Sequence, residues 1–74
     1  MFTGKYTLGE IVGANLKRLR KEAGKTQEAM GELLGKGERA IRRYEGSCYK
    51  ISVIQKYRDE LGVQDISEFF LIRE

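Results

Sequence analysis

The chain has 74 residues and a mass of 8.5 kDa, which suits one small domain built around a single hydrophobic core. It contains one cysteine, Cys48, and no histidine. A disulfide framework, a Cys/His zinc site and a nucleophile activated by histidine are therefore excluded. We expect a protein that is not an enzyme and that binds neither a metal nor a cofactor.

The composition also indicates the fold class and the compartment. Proline is absent, glycine occurs 9 times and charged residues make up 34% of the chain, which is typical of short helices joined by glycine turns. No stretch approaches the roughly 18 apolar residues that a membrane span needs, and the N-terminus lacks the apolar segment of a signal peptide. We expect an all-α cytoplasmic protein with a single domain over residues 1–74.

The net charge of +3 is unevenly distributed along the chain. Residues 17–50 carry ten Lys or Arg against five Glu, whereas residues 51–74 carry more acidic than basic side chains. A local excess of this kind can attract phosphate groups. Ordinary solvated helix faces can also carry such charge, so the charge alone leaves both interpretations open.

The first two helices are indicated by apolar spacing and by capping residues. Apolar residues recur at three- and four-residue steps over residues 8–23, and Thr7 with Glu10 forms the pattern of a capping box. These features predict a first helix over 8–23. Thr26 is a suitable N-cap for a second helix over about 27–34.

A three-residue break at 35–37 separates the second helix from a third. Ala40, Ile41 and Tyr44 mark the inward face of this short helix, which is predicted to cover residues 38–45. A helix of about eight residues is marginal alone in water, so its stability must come from packing against its neighbours.

Two further helices are predicted in the last third of the chain. The fourth runs from about Ile51 to Leu61 and is closed by Gly62. The fifth opens at Asp65 and carries four apolar residues near the C-terminus. These residues are Ile66, Phe69, Phe70 and Ile72. The segment is a candidate dimer contact, and the alternative is that Phe69 or Phe70 closes the bottom of the core.

Two helices joined by three residues, the second of them basic, are typical of a helix-turn-helix. The stretch LKRLRKEAGKTQEAMGELLGKGERAIRRYEGS resembles the DNA-binding domain of the Cro/repressor (XRE-type) family, and the resemblance extends over roughly residues 10–71. Its most specific elements are the pairs TQ, LG and YE at their mutual distances: Thr26, Gln27, Leu34, Gly35, Tyr44 and Glu45.

This resemblance implies a compact five-helix, lambda-repressor-like domain with the helix-turn-helix at helices 2 and 3. Residues 1–7 would form a flexible arm and residues 8–71 the helical core. The implied function is that of a sequence-specific DNA-binding transcriptional regulator from a bacterium, a phage or a mobile element. We expect a homodimeric repressor that reads an inverted-repeat operator in double-stranded DNA with helix 3, without a small-molecule effector.

The resemblance also implies roles for individual residues. The base-reading positions at the start of helix 3 are occupied by Glu38, Arg39, Arg42 and Arg43. The implied phosphate contacts are Gln27, Lys36 and Lys50. Arg20 and Glu45 are expected to form a partly buried ion pair that supports helix 3.

Two features depart from the pattern of the family. Gly31 replaces a small Ala in helix 2, and Gly37 stands where a Ser or Thr usually caps helix 3. Gly31 is expected to lower the helix propensity of this segment, and Gly35 with Gly37 to make the turn looser than usual. The alternative function is a protein-binding module that docks another regulator through Phe69, Phe70 and Leu71. As a dimer contact we expect Phe69, Phe70 and Ile72.

Overall fold

The computed structural model describes residues 6–72. Within this range every regular element is a helix and no strand is present, which confirms the predicted all-α class. None of these helices is both long and apolar enough to cross a membrane. The elements in chain order are α1 (Leu8–Glu22), α2 (Gln27–Leu34), α3 (Glu38–Gly46), α4 (Ile51–Leu61) and a C-terminal 3-10 helix (Ile66–Phe70).

The start of α1 follows the predicted capping pattern. The amide of Glu10 donates to the Thr7 hydroxyl at 3.2 Å, and the amide of Thr7 donates to the Glu10 carboxylate at 2.9 Å. This reciprocal pair satisfies two amides that have no partner within the helix. Residues 1–5 of the predicted flexible arm lie outside the described residues, and Thr7 belongs to the helix cap.

The prediction of a fifth α-helix is wrong, because the segment Ile66–Phe70 is a 3-10 helix. The amide of Glu68 donates to the carbonyl of Asp65 at 3.0 Å, three residues back, which closes a 3-10 turn. The Asp65 carboxylate also accepts from the amide of Ser67 at 3.0 Å and from its hydroxyl at 2.8 Å. These hydrogen bonds lower the pKa of Asp65. A segment of five residues is too short for α-helical hydrogen bonds to stabilise it.

The hydrophobic core lies around α1. This helix packs against α3, α4 and the 3-10 helix, and α2 packs against α3 and α4. The inward spacing of apolar residues every three or four positions explains why each helix buries one face. The buried cluster consists of Val12, Leu16, Leu19, Met30, Leu34, Ile41, Cys48, Val53, Ile54, Tyr57 and Phe69.

The turn between α2 and α3 is closely packed, contrary to the looser turn expected from its glycines. Gly35 adopts a left-handed conformation with φ of 68°, and the amide of Lys36 donates to the carbonyl of Gly31 at 2.7 Å. A β-carbon at Gly31 would lie 2.8 Å from the Lys36 carbonyl oxygen. Glycine at position 31 therefore allows the backbone of the turn to lie directly against α2, which sets where α3 begins.

Candidate nucleic-acid interface

The orientation of α3 separates its basic side chains from its buried ones. Ile41 is fully buried and Glu45 is nearly so, whereas Arg39, Arg42 and Arg43 are exposed. Since an α-helix turns once in about 3.6 residues, Arg39 and Arg43 lie one turn apart on the side opposite Ile41. The packing of Ile41 against the core thus presents these two guanidinium groups to solvent.

Two of the predicted base-reading residues are paired with each other. Arg42 Nη2 lies 2.7 Å from Glu38 Oε2, one helical turn away. Both side chains are exposed, so this ion pair contributes only about 0.3–0.5 kcal/mol and can be exchanged for other partners at little cost. In the part of the chain that the structure describes, Arg39 and Arg43 take part in no ion pair.

The predicted phosphate contacts Lys36 and Lys50 lie near each other beside the start of α4. Lys36 belongs to the turn before α3, and Lys50 is the N-cap residue of α4, which has no side-chain cap. Both line one shallow pocket together with Ser52 and Lys56. Lys56 is not among the phosphate contacts expected from the sequence; it lies one helical turn after Ser52 on α4.

Arg20 and Glu45 form the buried ion pair that the resemblance implies. Arg20 Nε lies 2.7 Å from Glu45 Oε2 and Arg20 Nη2 lies 3.2 Å from Oε1, and the two side chains are 7% and 3% exposed. Arg20 Nη1 also donates to the carbonyl of Lys25 at 2.7 Å, just before α2 begins. One guanidinium group therefore links α1 to the end of α3 and to the start of α2.

Two further donors complete the surroundings of the Glu45 carboxylate. The amide of Gln27 donates to Oε1 at 3.3 Å, and the hydroxyl of Tyr57 donates to Oε2 at 3.1 Å. With Arg20, each carboxylate oxygen accepts two hydrogen bonds, which is the full capacity of the group. We call this set of residues, Arg20, Gln27, Glu45 and Tyr57, the Glu45 cluster.

Gln27 and Tyr57 have roles that the sequence did not indicate. Gln27 was expected at a phosphate; it is the half-buried first residue of α2, and its side-chain amide contacts Glu45. Its phosphate contact stays a prediction. Tyr57 lies on α4, and its side chain is fully buried. Burial, followed by the charge of Glu45 and the hydrogen bond to it, raises the pKa of Tyr57 well above its usual value, so the phenol stays protonated and donates.

Phe69 is not available for the predicted dimer contact, because its side chain is fully buried in the core. Next to it, Asn15 Nδ2 donates to the carbonyl oxygen of Phe69 at 3.1 Å and to that of Leu71 at 2.8 Å. This amide holds the C-terminal segment against α1. Phe70 and Ile72 remain 43% and 40% exposed, and their role as a dimer contact stays a prediction.

A family model described as a helix-turn-helix domain matches residues 11–50, more than half of the chain. The matched region extends from the first turn of α1 to the residue before α4 and contains the whole surface formed by α3 and its preceding turn. Searches of curated proteins and of solved structures found no match. The chain belongs to the helix-turn-helix domain family.

Proposed function

We propose that the protein is a sequence-specific transcriptional regulator of the XRE type that inserts α3 into the major groove of double-stranded DNA. The observation that carries this proposal is the position of Arg39 and Arg43. They lie one turn apart on the exposed face of the second helix of a helix-turn-helix, while Ile41 holds the opposite face in the core. An α-helix fits the major groove, where base edges differ between all four base pairs.

The side chains on the exposed face of α3 match the chemistry of base edges. Arg can donate two hydrogen bonds to O6 and N7 of guanine, and a carboxylate can accept from N4 of cytosine. Arg39 and Arg43 are the principal base-reading residues. Glu38 and Arg42 form a second, weaker reading element, because each must first give up its present partner at 2.7 Å.

Binding to the DNA backbone is assigned to the basic residues beside α3. Lys36, Lys50 and Lys56 share one pocket at the start of α4, where an ammonium group can neutralise a phosphate. Gln27 stands at the N-terminus of α2, whose free amides and helix dipole favour an anion. These contacts would fix the register of α3 on the duplex without reading its sequence.

The assembled regulator is proposed to be a cytoplasmic homodimeric repressor that is encoded by a bacterium, a phage or a mobile element. Two copies related by a two-fold axis would place two α3 helices about 34 Å apart on one face of the DNA, which matches an inverted-repeat operator. Exposed Phe70 and Ile72 supply the apolar contact between copies. The protein acts without enzymatic activity, cofactor or small-molecule effector, and its concentration or a partner protein sets its occupancy.

A second candidate function is docking to another regulatory protein through the C-terminal segment. It is favoured by three consecutive apolar residues that are each about two-fifths exposed, Phe70, Leu71 and Ile72. An apolar protein interface responds little to salt, whereas DNA binding weakens steeply as salt increases. The salt dependence of binding therefore separates the two candidates.

The experiment that tests the proposed function is selection from a random duplex DNA library by the purified protein. We expect enrichment of a short sequence arranged as an inverted repeat, bound with an affinity that falls steeply between low and high salt. Failure to enrich any sequence at low salt would contradict the proposal. Binding to a protein partner that is insensitive to salt would support the second candidate instead.

A further inference from the structure

Tyr57 places one polar atom deep in the core, next to the helix that carries the base-reading residues. Its side chain is fully buried in α4 among apolar residues, and its hydroxyl reaches Glu45 Oε2 at 3.1 Å. A phenylalanine has the same ring and would fill the same space against these neighbours. Packing alone therefore does not explain why position 57 carries a hydroxyl group.

The hydroxyl is one of four donors that together satisfy a buried carboxylate. Arg20 supplies two of them, Gln27 one and Tyr57 one. Within residues 6–72, no buried polar side-chain atom lacks a hydrogen-bond partner. Removal of one donor from such a site leaves an acceptor position that water cannot easily reach, so the carboxylate would reorient toward its remaining partners.

Glu45 connects this hydrogen bond to the exposed face of α3. Glu45 belongs to the last turn of α3, and Arg39 and Arg43 stand on the opposite side of the same rigid helix. The main packing partners of α3 are α1 and α2. The hydroxyl of Tyr57 adds a polar link from α4, so that side chains from three helices converge on one carboxylate and limit its rotation.

We infer that Tyr57 is a positioning residue for DNA sequence reading, which acts by holding Glu45 and thereby setting the orientation of Arg39 and Arg43. The inference rests on the proposed function, since it concerns how well α3 discriminates between bases. Hydrogen bonds to bases require side chains placed within a fraction of an ångström. A small reorientation of α3 reduces binding to the preferred sequence while leaving phosphate contacts, and hence binding to unrelated DNA, nearly unchanged.

The test compares Tyr57→Phe with Ile54→Ala, which removes buried apolar atoms from the same helix at a residue without a hydrogen bond to Glu45. For each protein we would measure affinity for the enriched sequence and for unrelated DNA at one salt concentration. Amide hydrogen exchange in α3, and in α1 as the internal reference, would be measured without DNA. All proteins would be studied in the same concentration of trimethylamine N-oxide, which stabilises folded states without replacing the lost hydroxyl.

We expect Tyr57→Phe to lower the ratio of specific to non-specific affinity about three- to tenfold, which lies within the roughly 2- to 30-fold range of effects that residues exert on a site from a distance. Amide exchange in the last turn of α3 should also become faster relative to exchange in α1 of the same protein. Ile54→Ala should lower thermal stability and speed exchange in both helices by a similar factor, but leave the affinity ratio and the exchange in α3 relative to α1 close to those of the wild-type protein. An unchanged ratio in Tyr57→Phe, or an equal loss in both variants, would overturn the inference.

The exchange measurement keeps this inference separate from the proposed function. If the wild-type protein enriches no DNA sequence, the proposed function fails, and the specificity role of Tyr57 fails with it. Exchange that is faster in α3 than in α1 of Tyr57→Phe would then still support its positioning role alone. If the wild-type protein binds a specific sequence and Tyr57→Phe matches it in both measurements, only the inference about Tyr57 fails.

Discussion

Gly13 of α1 lies directly against the backbone of Glu45 in α3. A β-carbon at position 13 would stand 2.8 Å from the carbonyl oxygen of Glu45 and 2.9 Å from that of Tyr44. Carbon atoms do not approach carbonyl oxygens this closely in folded proteins without displacement of one element. Glycine at position 13 therefore allows α1 and α3 to pack at the distance that the pair of Arg20 and Glu45 requires.

The substitution Gly13→Ala should destabilise the protein, because its added methyl group separates α1 from α3. We expect a loss of about 1–3 kcal/mol in the free energy of unfolding, measured by chemical denaturation. Gly46→Ala is the matched control, since a β-carbon at this position, the end of α3, meets no atom within 4 Å. The control should be as stable as the wild-type protein or slightly more stable. Equal stabilities of the two variants would argue against close packing at Gly13.

Asn15 should be required to hold the C-terminal segment against α1. Asn15→Ala leaves the carbonyl groups of Phe69 and Leu71 without their donor. We expect a loss of about 1–3 kcal/mol in the free energy of unfolding and faster amide exchange in residues 66–72. Gln64→Ala, which truncates an exposed amide side chain, should have almost no effect. Protection of residues 66–72 that is unchanged in Asn15→Ala would contradict this role.

The local features of the fold could be predicted from the sequence, because their causes lie within a few residues. Thr7 and Glu10 form the capping box that their spacing predicts, and the side chain of Thr26 accepts from the amide of Ala29 at 3.0 Å as an N-cap. The apolar periodicity of the same segments also identified most of the core. The bounds of α2 followed from signals at both of its ends.

The features that could not be predicted depend on residues far apart in the chain. Phe69 and Phe70 are adjacent and equally apolar, yet only Phe69 is fully buried. The backbone of this segment is held by Asn15, which lies 54 residues away from Phe69 in the chain. The hydroxyl of Tyr57 finds its acceptor 12 residues back on another helix. Periodicity identifies which face of a helix is buried, but it does not reveal which polar atoms meet inside the core.

Lys56 should contact the DNA backbone together with Lys36 and Lys50. Lys56→Ala is expected to weaken binding to all duplexes by a similar factor and to reduce the slope of log affinity against log salt by about 0.9, the value for one phosphate. Lys17→Ala, which removes an exposed charge from α1, should leave the slope unchanged. Identical slopes for the two variants would remove Lys56 from the interface.

Exposed apolar residues at the C-terminal end of the described chain should mediate dimerisation. We expect sedimentation to detect a dimer of the wild-type protein bound to its enriched sequence. The double variant Phe70→Ser, Ile72→Ser should lower the dimerisation affinity at least tenfold, because the contact between copies loses apolar area. Ile66→Ser provides the control, since Ile66 is also exposed but belongs to the start of the 3-10 helix. A wild-type protein that stays monomeric at high micromolar concentration on DNA would refute the dimer.

We propose centrally that α3 reads DNA sequence through Arg39 and Arg43. The most direct test is the affinity of single alanine variants for the enriched sequence. Arg39→Ala and Arg43→Ala should each lose about 1–3 kcal/mol of binding free energy for that sequence and relax the preference at one base position, with a much smaller change on unrelated DNA. Arg58→Ala, which removes an exposed charge from α4, should bind almost as the wild-type protein does. Affinities of both α3 variants within twofold of the wild-type value would contradict the claim.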